Sequence, residues 1–165
     1  MKLLFSFMIA VPLLAFAQAD TSRKAPRASS APALACPVGT RQSGGRATAF
    51  EAIFCMKTGR LGEPVMHGPY LGLYKKSGKK RVDGAYLEGR RTGVWVAYDE
   101  QGGKLEEFTF DNDLWNGTRT QWVAGKKILE ENWVAGKRQG RQTEWINGTE
   151  VVTEFKDDAP VKKDP

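Results

Sequence analysis

The sequence predicts an all-β protein: an open, single-layer antiparallel meander of stacked β-hairpin repeats with a small disulfide-linked cap at its N-terminal end. Three observations predict it. Glycines recur at Gly68, Gly93, Gly117 and Gly140, spaced 25, 24 and 23 residues apart. An aromatic stands seven residues before each following glycine, at Tyr86, Phe110 and Trp133. Side chains alternate after each glycine, as Val94, Val96 and Tyr98 do against Trp95 and Ala97. A period of about 20 to 50 residues marks a repeat architecture, and alternation with period two marks strands.

The elements follow in order. Residues 1–19 carry Lys2, an apolar run from Leu3 to Phe16 and the small-x-small sequence Ala17-Gln18-Ala19. That is the layout of a cleaved signal peptide, and the run falls short of the roughly 20 residues a membrane span needs. A secreted or periplasmic protein with no membrane span after cleavage is expected. Residues 20–35, rich in Ala, Ser and Pro, read as a flexible linker. Residues 36–67 do not fit the repeat and form the expected cap, in which Ala49 to Met56 reads as a strand that pairs with the first repeat and covers the sheet edge. Cys36 and Cys55 are the only cysteines. In an oxidising compartment they form one bridge.

Four repeats are read at 68–92, 93–116, 117–139 and 140–158. A large apolar residue follows each leading glycine by five positions, at Leu73, Tyr98, Trp122 and Trp145, and a second glycine follows at Gly78, Gly103, Gly125 and Gly148. Asn147-Gly148 is a strong hairpin-turn signal. Turn residues stand three positions after each aromatic, at Gly89, Asp113 and Gly136, and again at Asp158 after Phe155. Residues 159–165 are expected to be a disordered tail.

The pattern Tyr86-x-x-Gly89-x-x-x-Gly93-x-Trp95, with Trp133-x-x-Gly136-x-x-x-Gly140, resembles MORN repeats, in the bacterial variant known from YwqK-type toxin–antitoxin antitoxins. The resemblance covers Gly68 to about Asp158. It departs at Asp113, where the pattern has Gly, and at Arg119 and Gln142, where Trp95 stands in the second unit. It implies a hairpin meander and a scaffolding or protein-binding role, with lipid contacts in some eukaryotic members.

The formal net charge is +6; removing Lys2 leaves 24 basic against 19 acidic residues. Lys75, Lys76, Lys79, Lys80 and Arg81 form the sharpest basic cluster, which reads as a solvated turn or as a patch for anionic lipid or cell-wall polymer. Export argues against nucleic acid. His67 is the only histidine, so no metal site or cofactor is expected. Asp83, Glu107 and Glu130 fall in register, yet no nucleophile–base set accompanies them, and the chain is read as non-catalytic.

The side chains one, three and five positions after each glycine are expected to form the core. The alternate face carries Tyr70 and Trp95 and then turns polar through Arg119, Gln121, Gln142 and Glu144. Either the cap covers Tyr70 and Trp95 or they form a binding patch, since aromatic anchors are favoured at interfaces. Trp115 occupies the slot two residues before a leading glycine, as do Arg91 and Arg138. Two readings stand: an exposed contact ridge of all three, or a Trp folded back on its own turn. Tyr70, Trp95, Trp115, Arg91 and Arg138 are therefore the candidate binding surface for a partner protein.

Overall fold

The computed structural model describes residues 32–45 and 51–162. The expected signal segment 1–19, the linker as far as residue 31, Ala49 and Phe50 of the expected cap strand, and residues 163–165 lie outside the described residues.

Among the described residues every regular element is a strand. These are β1 (Arg41–Gly45), β2 (Ala52–Thr58), β3 (Pro64–Leu73), β4 (Lys80–Leu87), β5 (Arg90–Tyr98), β6 (Lys104–Asp111), β7 (Leu114–Val123), β8 (Lys126–Val134), β9 (Lys137–Arg138), β10 (Gly140–Ile146), β11 (Thr149–Lys156) and β12 (Ala159–Pro160). They make one open antiparallel sheet in chain order, with β9 and β10 both on β8. The predicted meander is the fold.

Turn chemistry explains the repeat spacing. Asn147 and Gly148 have φ of 52° and 83°, and Ala124–Gly125, Glu88–Gly89, Asn112–Asp113, Ala135–Gly136 and Asp157–Asp158 share the doubly positive pattern. Positive φ at both central residues defines the two-residue turn that matches strand twist. The first two hairpins use longer turns, closed by Tyr74 N–H to the Lys79 carbonyl (2.8 Å) and Asp99 N–H to the Gly103 carbonyl (2.9 Å). Their second glycines therefore come later in the unit.

The first three leading glycines sit inside a forward strand rather than at its start, so Pro64 to His67, assigned to the cap from sequence, belong to the first hairpin. The pairing slips opposite these glycines, between Phe54 and Met56, Asp83 and Ala85, and Phe108 and Phe110. Such bulges use the left-handed backbone that glycine adopts without strain. At Gly68 (φ 107°) an added Cβ would also lie 2.6 Å from Pro37 Cδ and 3.2 Å from Cys55 Cβ, so this glycine lets the cap close.

The cap differs from expectation in two ways. β2 does pair with β3, but β1 adds outside β2 and is the outer strand among the described residues. Residues 32–35, expected as linker, are docked: Leu34 N–H donates to Gln42 Oε1 (2.8 Å) and Gln42 Nε2 donates to the Pro32 carbonyl (3.1 Å). The Cys36–Cys55 disulfide pins this segment, with Cα atoms 5.5 Å apart and Cys55 fully buried. Replacing both cysteines by Ser is expected to lower the unfolding free energy by about 3 kcal/mol, the loop-closure entropy of a loop this size. Urea denaturation reads it; an unchanged midpoint would mean the cap contributes nothing to global stability.

The tail also differs. β12 pairs Pro160 with Phe155 and Ala159 with Lys156, because the Asp157–Asp158 turn returns the chain along β11.

Candidate functional site

Cross-strand register sorts the side chains onto two faces, since opposed residues share a face. One face carries Phe54, Tyr70 and Gly84 in line, then Trp95, Phe108, Arg119 and Glu131. This aromatic face holds the densest packing. Trp95 is 5% exposed, whereas Val94 is 53% exposed. Burial therefore falls on both faces: the large rings pack on the face of Trp95, while on the expected face Val94 is exposed but Ile53, opposite Leu71, and Thr120 and Thr143 are buried. Trp95 is buried because of Gly84: a Cβ there would lie 2.2 Å from Trp95 Cδ2, so the indole lies flat over bare backbone. Tyr70 (5.4 Å), Tyr86 (5.2 Å) and Phe110 (6.2 Å) surround it, and Phe54 of the cap stacks on Tyr70 at 6.3 Å. Trp95 is thus covered by its own repeat neighbours, and the cap reaches only Tyr70. Burial, with Tyr70 alongside, holds the Tyr86 phenol above its ordinary pKa. Trp95 Nε1 is buried without an acceptor among the described residues.

The slot two residues before the leading glycine has one job in the last three units. Its residue points back over the return-strand aromatic of the same pairing. Arg91 lies over Phe110 (4.0 Å), Trp115 meets Trp133 edge-on (4.4 Å) and Arg138 lies over Phe155 (4.2 Å). Trp115 is half-buried, with the Arg119 guanidinium 4.9 Å above it. It therefore packs on the next return strand and not on its own turn. The bulge at the glycine turns the preceding side chain inward.

Behind these stacks, the turn residues dock on the same slot. N–H groups of Gly89, Asp113, Gly136 and Asp158 donate to the carbonyls of Met66, Arg91, Trp115 and Arg138 at 2.8 to 3.1 Å. The docks alternate in chemistry. An added Cβ at Gly89 or Gly136 would touch Val65 or Leu114. Asp113 and Asp158 instead accept the backbone N–H of Arg91 (2.9 Å) and Arg138 (2.8 Å) on Oδ1. Asp113 also takes the Arg91 Nε–H at 2.9 Å. This is why Asp replaces Gly in the second unit.

The Arg91 side-chain and backbone hydrogen bonds hold the Asp113 carboxyl below its ordinary pKa of 3.8. A lowered folded-state pKa gives stability that is present above the unfolded value and lost as pH falls through the folded one. Asp113→Asn is expected to be less stable at pH 7 by up to about 1 kcal/mol, the ceiling for an exposed pair. The difference should shrink as pH falls below 3.8 and the carboxyl protonates. A pH-independent difference in unfolding midpoints would assign the effect to the backbone and not to charge.

Further along the aromatic face the rings give way to a polar network. Arg119 Nε donates to Glu106 (2.6 Å) and Nη1 to Glu131 (2.7 Å); Gln121 Nε2 reaches Glu106 at 3.2 Å. Trp133 Nε1 is 3.3 Å from Glu131 Oε2. Burial opposes the Arg119 charge, but the hydrogen bonds to Glu131 and Glu106 outweigh it and raise the pKa.

The opposite face carries a ladder. Lys80, Lys104 and Lys127 pair with Asp83, Glu107 and Glu130 at 3.4, 2.5 and 2.5 Å. The same lysines sit over Tyr98, Trp122 and Trp145 at 4.2, 5.5 and 5.6 Å. The in-register acids are separated by Val96 and Thr120 of the intervening strands, so each is neutralised within its own hairpin. The Glu107 hydrogen bond holds the Lys104 ammonium above its ordinary pKa. In the basic cluster, Lys79 Nζ donates to the Glu100 carbonyl (2.8 Å) while Lys75 and Lys76 are exposed. His67 Nδ1 is 3.2 Å from Glu88, which also pairs with Lys57.

All five candidate residues stand on the aromatic face. Tyr70 and Trp95 touch, Arg91 joins them through Phe110, and Trp115 and Arg138 belong to the next two stacks. Sequence reasoning missed Gly84, Phe54, Phe108 and the Glu106–Arg119–Glu131 network. The signal for Gly84 was available: it faces Trp95 where later units set Glu131 beside Arg119. No protein-family model matches the chain, and no curated protein matches it.

Proposed function

We propose that the chain is a non-catalytic, exported interaction module of the cell envelope that binds a partner protein on its aromatic face. The carrying observation is the run of half-buried rings and guanidinium groups (Tyr70, Arg91, Trp115, Arg138) along one face of a sheet with no second layer among the described residues. Aromatic and Arg side chains are the favoured anchors at interfaces. A non-catalytic role is supported by the acids: Glu106, Glu107, Glu130 and Glu131 are all held in ion pairs. The apolar run before Asp20 supports export. The glycine and aromatic register supports a MORN-like repeat, and with it a scaffold or antitoxin-like role.

Adhesion to anionic lipid or cell-wall polymer is the second reading, and exposed Lys75 and Lys76 favour it. The test is cross-linked capture from the cell envelope, followed by binding of the purified partner at rising salt. Saturable one-to-one binding that survives salt and is lost in folded Trp115→Ala supports the protein-binding reading. Recovery of lipid or polymer alone, released by salt and unaffected by Trp115→Ala, would overturn it.

A further inference from the structure

Among the described residues most of the last long strand, β11, has no strand on its outer edge, and the repeat itself shows what fits there. β12 pairs only with Phe155 and Lys156, after which Val161 N–H donates to the Glu154 carbonyl at 2.7 Å. One unit earlier β9 pairs with Trp133 and Val134, and Gln139 N–H donates to the Asn132 carbonyl at 2.8 Å. There the chain runs on as β10, which covers Glu130 and Leu129 of β8. The corresponding stretch of β11, Thr149 to Thr153, has no strand beyond it among the described residues. Lys162 stands where β10 begins with Gly140 (φ 77°), so the bulge glycine of the earlier units is missing.

The chemistry of the edge follows from strand geometry. The Glu154 carbonyl faces away from β10, so Val152 and Glu150, two and four residues back, turn their N–H and C=O the same way. Val151 and Val152 are 43% and 38% exposed. No proline, lysine or bulge blunts residues 149–153, the devices that normally protect an edge. Glu154 stands opposite Arg141, whose guanidinium pairs with Glu150 instead.

We propose that β11 accepts an extended strand of a partner protein, antiparallel to Thr149–Thr153. The β10-on-β8 register sets adjacent partner residues opposite Val152 and Val151, with a basic residue beside Glu154. Alternating donors and acceptors at strand spacing are matched by another polypeptide strand. A second copy fits less well. Pairing β11 with its own copy about Val151 would set each β12 against the other's Asn147–Gly148 turn. This edge is distinct from the aromatic face.

The experiment uses the full chain and a synthetic peptide copying Gly140–Ile146 (GRQTEWI), whose arginine falls beside Glu154. Amide exchange of Glu150 and Val152 should slow by about tenfold or more at saturating peptide. Val152→Pro should abolish the slowing. Its lost N–H points outward, so the pairing with β10 survives, as proline is tolerated at edges. Should Val152→Pro fail to fold, Val152→Lys replaces it and should weaken binding at least fivefold. No slowing in the unaltered chain, or slowing that persists in the variants, would overturn the proposal. A concentration-dependent dimer abolished by either variant would make a second copy the occupant and overturn it equally.

Discussion

Trp95→Ala is expected to lower the unfolding free energy by about 3–5 kcal/mol, the cost of removing a large buried aromatic. That is a large part of the 5–15 kcal/mol available to a typical domain. Among the described residues the buried apolar set is small, consisting of Ala52, Ile53, Cys55, Trp95 and Phe110, and Trp95 links the cap-side rings to Phe110. Gly84→Ala attacks the same contact from below and should cost about 1–3 kcal/mol by overpacking. Residues in contact do not add. The double variant should therefore cost less than the sum, because the three atoms nearest the added methyl all belong to the indole. Urea titration of the three variants decides it. Strict additivity would mean that Gly84 is required for backbone freedom and not for the ring above it.

Arg119→Met is the second large effect, expected at about 3–5 kcal/mol at pH 7. It leaves Glu131, whose side chain is 6% exposed, without its guanidinium. Glu131→Gln in the same chain should recover most of the loss, because a neutral amide no longer demands a cation. If the double variant is as unstable as the single, Arg119 acts through its packing on Trp115 and not through charge.

The hairpins were legible because glycine spacing and aromatic register are local facts. β1 was not: Arg41-Gln42-Ser43-Gly44-Gly45 has no apolar alternation, and it pairs because β2 offers an edge beside the disulfide. The burial of the Trp95 face was not legible for a related reason. Val94, Val96 and Tyr98 read as the apolar face of their own strand. Pairing places Val96 between Asp83 and Glu107, and a single sheet gives both faces access to water. The polarity of a face is a property of neighbouring strands, which a strand read alone does not carry. Tyr70 and Trp95 were singled out correctly as residues belonging together. Their cover was not legible, because it depends on Gly84, a residue that reads as a weak point in a strand until its register opposite Tyr70 and beneath Trp95 is known.

The alternation of the turn docks has a consequence for how such a chain can be lengthened or shortened. Met66 and Trp115 meet Gly89 and Gly136, whereas Arg91 and Arg138 meet Asp113 and Asp158. Excising one hairpin, Gly93 to Asn116, would leave Arg91 facing Gly136, a cation with no carboxylate. Excising two, Gly93 to Gln139, would bring Arg91 to Asp158 and restore the match. The interchangeable module is thus the hairpin pair, the 47 residues from Gly93 to Gln139. Chains built on this plan should tolerate insertion and loss in even numbers of hairpins.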